Sequence, residues 1–208
     1  MMRKLAVIGA SGHGKVVADI AESCGWGKVD FFDDAYATEA AVNGCWSVRG
    51  RIADFMLVSS SYTSVFVAIG NNDTRRKVSE IMLANDIDLA TLIHPAAVVS
   101  RYAQIGAGSI VIAGAVVNAY AVIGRGAIIN TCASVDHDCH LGDYVHVSPG
   151  AHLAGGVKVG DNSWVGIGSC IKHQVTVGAG VIVGAGAVVI NDVLDDLTIA
   201  GVPARPLL

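Results

Sequence analysis

The segment SVDHDCHLGDYVHVSPGAHLAGG, residues 134 to 156, carries four of the seven histidines of this chain in otherwise small and apolar text. His137 stands between two acids, Asp136 and Asp138. A carboxylate that accepts a hydrogen bond from one imidazole nitrogen fixes the tautomer and raises the basicity of the other, which makes a poised general base. His140, His146 and His152 follow at six-residue intervals and are of a type that zinc takes, so metal binding is the competing chemistry. The bland alternative is a histidine on a solvated face. A second group opens the chain. Ser11, Gly12 and His13 lie in GASGHG, and Asp33 and Asp34 form a pair of acids. Backbone amides in such a loop can face a diphosphate or ribose, and paired acids can accept from ribose or base. The glycines at 9, 12 and 14 do not have the dinucleotide GxGxxG spacing, so a nicotinamide-binding reading is disfavoured.

Which chemistry is available depends on the elements beneath these residues. Residues 1–92 read as a small α/β unit. KLAVIG, KVDFFDD and SVFVAIG are strands, GKVVADIAESCG is a helix closed by Gly25, and NDTRRKVSEIMLAND is a helix that Asn72 or Asp73 could cap. This alternation predicts a parallel, Rossmann-like sheet, whose ligands bind at the carboxyl ends of the strands. Those ends carry GASGHG, Asp33–Asp34 and Gly70.

From residue 93 to 208 the period changes. Every sixth residue from Val99 to Val189 is Ile, Leu or Val, 16 positions in succession. Neither a helix nor a plain strand generates a strict six. A parallel β-helix does, with one short strand and one corner per hexad and three hexads per triangular coil. The aliphatic residue then points inward, and the residue two places before it is usually small, as at Ala115, Ala121 and Ala127. Glycine often follows the aliphatic position, as at 106, 124 and 142, where a turn with positive φ is expected.

Against this register the histidines separate. His140, His146 and His152 fall on three different faces, so a metal centre would need ligands from another subunit. His137 points outward at a corner, and Gly155, one coil later, leaves a shallow groove beside it. Cys139 lies in the inward column and is expected to be structural rather than a nucleophile.

Composition narrows the partners. The chain is 52% hydrophobic and 15% charged with a formal net charge of -4, which speaks against nucleic acid or an anionic membrane as partner. The apolar run after the basic start is too short for a signal peptide and reads as a first strand, and no stretch approaches a membrane span. Five cysteines without a CxxC pair read as buried thiols of a cytoplasmic protein.

The segments VIGASGHGKVVADIA, FFDD, VAIGNNDTRRK, LIHP, IINTCASVDHDC, YVHVSPGAHLAGGVKVG, WVGIGSCI and TIAGVPAR resemble the NeuD-like bacterial sugar acyltransferases over nearly the whole chain. The likeness is greatest to the UDP-4-amino-sugar N-acetyltransferases of bacillosamine synthesis. It implies a left-handed β-helix, acetyl-CoA as co-substrate, a UDP-linked 2-acetamido-4-amino-2,4,6-trideoxyhexose as acceptor, and a homotrimer with active sites between subunits. It also implies roles. His137 is the general base and Asp138 its support, where relatives carry Glu or Asp. His146 and the backbone at Ile167 and Ala185 contact acetyl-CoA; relatives can have Gly at the position of Ala185. Ser11, Gly12, His13, Asp33 and Asp34 contact the nucleotide sugar, and Asn130 lies near the acceptor. From their places in the fold, Gly155 in the groove joins the cofactor contacts and Gly70 at its strand end the sugar contacts. No metal is expected. GDP-perosamine-type N-acetylation and sialic-acid-type O-acetylation use the same chemistry and stay open. So do a non-catalytic β-helix scaffold and a β-helical carbonic-anhydrase-like metalloenzyme.

Overall fold

The computed structural model describes residues 2–35 and 42–207. The chain divides into two compact units, Met1–His94 and Pro95–Leu208.

In the first unit, β1 (Lys4–Ile8), β2 (Lys28–Phe32), β4 (Trp46–Gly50) and β5 (Ser64–Val67) pair in parallel in the order β4-β2-β1-β5, and β3 (Val42–Asn43) adds an antiparallel edge to β4. The strands are short, continuous apolar runs because both faces are covered: Leu5, Ala6, Val7 and Ile8 have no exposed surface. Helix α1 (Gly12–Ser23) buries Val17, Ala18, Ile20 and Ala21. Helix α2 (Ile52–Val58) and β3–β4 were not foreseen, because 42–58 is too short and too mixed to show a clear period. Helix α3 (Asn72–Ala84) is capped by Asn71, whose side chain accepts from Thr74 N–H; Asn72 instead turns inward and its Oδ1 accepts from Arg75. The cap is therefore Asn71 rather than Asn72 or Asp73, because only Asn71 turns its side-chain oxygen to the exposed N–H of the first turn.

The second unit is a parallel β-helix. Two-residue strands recur every six residues from Val98–Val99 to Val188–Val189 and stack into three sheets. Each strand pairs with the one 18 residues on, as Ser134 with His152 and His152 with Cys170. The inward aliphatic and small columns form one continuous core from Val111 to Ile199. Thr198–Gly201 and Ala204–Pro206 close the last coil as an antiparallel pair.

Two expectations fail here. Positive φ does not fall on the glycines after the aliphatic column but two residues later, at every sixth residue from 108 to 186, where Tyr120 (φ 61), Cys132 (φ 54) and Asp138 (φ 59) stand among glycines. Gly106 and Gly124 serve close stacking instead: a Cβ on either would stand 2.5 Å from backbone of the next coil. The cysteines are not all buried. Cys139 is, but Cys45, Cys132 and Cys170 are exposed, because the last two occupy a corner and an outward strand position that the prism turns to solvent.

Candidate active site

His137 follows the strand Ser134–Val135 and stands on the corner that begins there. Asp138 Oδ2 lies 2.7 Å from its Nδ1, and both side chains are more than half exposed. The bond to Asp138 is the main reason that the imidazole pKa is raised, and the charge of Asp136 adds to it. With Nδ1 donating to the carboxylate, Nε2 carries the lone pair, as a proton acceptor must. Asp136 Oδ1 accepts from the His137 backbone N–H at 2.8 Å and from Asn118 Nδ2 at 2.9 Å, so this corner is tied to the coil before it. Gly155 sits one coil on, and the imidazole lies against its Cα face.

Asn130 and His146 form a second cluster. Asn130 Oδ1 accepts from Thr131 N–H at 2.8 Å, which turns Nδ2 toward His146 Nε2 at 3.2 Å. A donating amide there requires an unprotonated Nε2, so His146 carries its proton on Nδ1. Trp164, the rung above His146, stacks on it with centroids 4.9 Å apart and donates Nε1–H to Ser148 Oγ at 2.7 Å. The resemblance implies Asn130 near the acceptor and His146 at the cofactor; in the fold the two are one contacting pair. Trp164 and Ser148 escaped that reading, although the 18-residue spacing of 146 and 164 was a usable signal.

Ile167 and Ala185 are exposed and stacked one coil apart, since Gly186 N–H donates to the Ile167 carbonyl. They occupy the corner before the sheet of Ser134–Val135, whereas His137 and Gly155 occupy the corner after it. Within one copy the structure therefore keeps the two columns on neighbouring corners. His140, His146 and His152 stand in three different sheets, as the period required. His152 Nδ1 lies 2.9 Å from Ser134 Oγ. The Cys139 thiol is raised by burial and donates to the Ala154 carbonyl, which suits a structural role.

In the first unit, Ser11 is the N-cap of α1 but makes no side-chain cap bond; its carbonyl accepts from Asn43 Nδ2. Space around the Gly12 Cα is open. The helix thus presents its N-terminal N–H groups, the partial positive end that anions favour. His13 is driven down to about 4, chiefly by burial and then by the charge of Arg75, so it is neutral near pH 7. Its Nε2 is buried with no hydrogen-bond partner among the described residues. Arg75 is 1% exposed and donates to the carbonyls of Ile69 and Gly70, which ties the end of β5 to α3. In the helical run NDTRRKVSEIMLAND nothing marks Arg75 for burial; packing decides it. Asp33 Oδ2 accepts from Ala10 N–H at 2.6 Å and Oδ1 from Ala35 N–H, whereas Asp34 Oδ1 accepts from Ile52 N–H at 3.0 Å. Both acids hold loops at the sheet's carboxyl edge and keep further lone pairs for a ligand.

Residues 4–82 match the family model of the PglD N-terminal domain, and residues 156–191 match that of the bacterial transferase hexapeptide. The acetyltransferase domain of PglB from Neisseria gonorrhoeae, solved with acetyl coenzyme A, is 48% identical over the whole of both chains, with a TM-score of 0.94. A mutant perosamine N-acetyltransferase from Caulobacter crescentus, solved with CoA and GDP-perosamine, is 39% identical over 100% of this chain and 98% of that one, also at 0.94. UDP-N-acetylbacillosamine N-acetyltransferase of Bacillus subtilis is 37% identical over 120 residues, which span 53% of this chain and 52% of that protein.

Proposed function

This chain belongs to the family of PglD-type hexapeptide-repeat sugar acetyltransferases, and we propose that it moves acetyl from acetyl-CoA to the 4-amine of a UDP-linked 2-acetamido-4-amino-2,4,6-trideoxyhexose. The observation that carries the chemistry is the 2.7 Å contact between His137 Nδ1 and Asp138. The neutral amine attacks the thioester carbonyl, and Nε2 takes the proton that the nitrogen must lose. The tetrahedral intermediate then expels the CoA thiolate, which the proton on His137 neutralises. Asp138 holds the ring and stabilises its charged form in between. Backbone N–H groups are the natural donors to the oxyanion, and no acyl-enzyme is needed.

The coils hold acetyl-CoA through His146, Ile167, Ala185 and the Gly155 groove, with Asn130 toward the acceptor. Ser11, Gly12, His13, Asp33, Asp34 and Gly70 hold the nucleotide sugar. Three copies complete the sites, and the exposed apolar side chains of Trp164, Ile167 and Ile182 support a face that a second subunit covers. No helix among the described residues is long and apolar enough to cross a membrane. The test is a thiol-release assay with acetyl-CoA and a panel of UDP-, GDP- and CMP-linked amino and hydroxy sugars. The proposal expects the UDP-linked 4-amino sugar to be preferred by kcat/KM. Preference for GDP-perosamine or for a sugar hydroxyl would replace it, and no turnover with any acceptor would return the chain to the scaffold reading.

A further inference from the structure

Glycine in this β-helix has two uses already described: left-handed backbone at every sixth residue, and close stacking of one coil on the next. Gly155 fits neither. Its φ is not positive, whereas that of its neighbour Gly156 is 71°. No backbone atom of the next coil is among the three atoms nearest to a methyl group placed on it. All three belong to the imidazole of His137: Nε2 at 2.5 Å, Cε1 at 2.6 Å and Cδ2 at 3.2 Å. The absent side chain at 155 is therefore space that the reactive edge of His137 occupies.

The reason lies in the stacking. Parallel coils stand about 4.8 Å apart. A side chain at one corner can therefore lie along the prism only if the same corner of the next coil is bare. With any Cβ at 155 the imidazole must swing outward. A ring moved from this seat disturbs the 2.7 Å contact of Nδ1 with the Asp138 carboxylate.

The other side of the seat is fixed independently. Asp136 Oδ1 accepts from the His137 backbone N–H and Asn118 Nδ2 together, so moving the main chain outward with the ring would break those bonds. We infer that Gly155 is a positioning residue for the base: it sets the direction in which His137 Nε2 points and keeps the Asp138 bond intact. This inference rests on His137 being the general base and gives Gly155 a task beyond lining the cofactor groove.

The experiment is a double-mutant cycle of Gly155→Ala and His137→Ala, with both Michaelis constants, pH–rate profiles and the His137 titration followed by NMR. Alone, Gly155→Ala is expected to lower kcat by about 10- to 100-fold, the scale of a catalytic group misplaced by about 1 Å, whatever rise the narrowed groove gives the acetyl-CoA KM. The His137 pKa should fall, because the displaced ring loses its carboxylate. In the His137→Ala background the same substitution should cost almost nothing. Thermal melting should hardly move, since alanine adopts this backbone freely. A selective rise in the acetyl-CoA KM that persists without His137 would make Gly155 a cofactor contact only and overturn the inference. Unchanged kcat and an unchanged His137 titration in Gly155→Ala would overturn it equally. If His137→Ala alone stayed active, the assignment of the base would fail, while the NMR titration would still report whether Gly155 seats the ring.

Discussion

Asp138 holds His137 from a backbone conformation that few residues tolerate: its φ is 59°, and its carboxylate reaches back 2.7 Å to the preceding imidazole. The left-handed position recurs once per hexad, and aspartate is among the residues that enter it at modest cost. The corner that every coil must make thus places a carboxylate where it can grip the side chain before it.

His137→Ala should lower turnover by about 10^2–10^4-fold, the range for loss of a general base, and leave melting nearly unchanged because the side chain is exposed. Steady-state thiol release and a thermal scan measure both. Wild-type turnover at neutral pH would remove His137 from the mechanism.

Asp138→Asn should reduce activity less, by roughly tenfold to a hundredfold near neutral pH, and should shift the pH profile. The base works only when neutral, so activity falls as pH drops through its pKa. Asp138 raises that pKa, and losing it must move the acid limb toward lower pH. An acid limb that moved upward or stayed in place would contradict the arrangement.

His13 makes stability pH-dependent. Folded, its pKa is about 4 against an ordinary 6.5, so below pH 6.5 the unfolded chain binds the proton first. The contribution is present in full above pH 6.5 and is lost as pH falls toward 4. It amounts to about 3 kcal/mol. Urea unfolding at pH 7.5 and 4.5 should show a smaller drop for His13→Asn than for the parent. Equal drops would mean that the ring is not sequestered.

The two units should also separate kinetically. His13→Ala or Asp34→Ala should raise the sugar-nucleotide KM by roughly three- to tenfold, the loss of one ordinary hydrogen bond, with the acetyl-CoA constant nearly flat. Bisubstrate kinetics would show it. An unaltered sugar constant in both variants would leave the first unit as an assembly element.

Light scattering should find a trimer of the 21.3 kDa chain. An active monomer would require each copy to bind acetyl-CoA alone, although His137 and Ile167 stand on separate corners of the prism.

The period of six was legible in the sequence because a prism with a packed interior forces one inward aliphatic per corner, whatever lies outside it. From that register the outward direction of His137, the separation of His140, His146 and His152, and the burial of Cys139 all followed. The strand ends that carry Ser11, Asp33 and Gly70 were legible for a similar reason, since strand and helix periods differ. What the sequence could not give was which neighbours on stacked coils touch, and through which atoms. That Gly155 is bare for the sake of His137, that Asn118 steadies it through Asp136, and that Trp164 covers His146 all depend on rungs stacked 18 residues apart. The buried Arg75 beside His13 is the same kind of case, a charge that only packing could turn inward. Periodicity is a one-dimensional property that the core imposes on every coil. Hydrogen bonds and ring contacts are short-ranged, and only folding decides which few residues come within their reach.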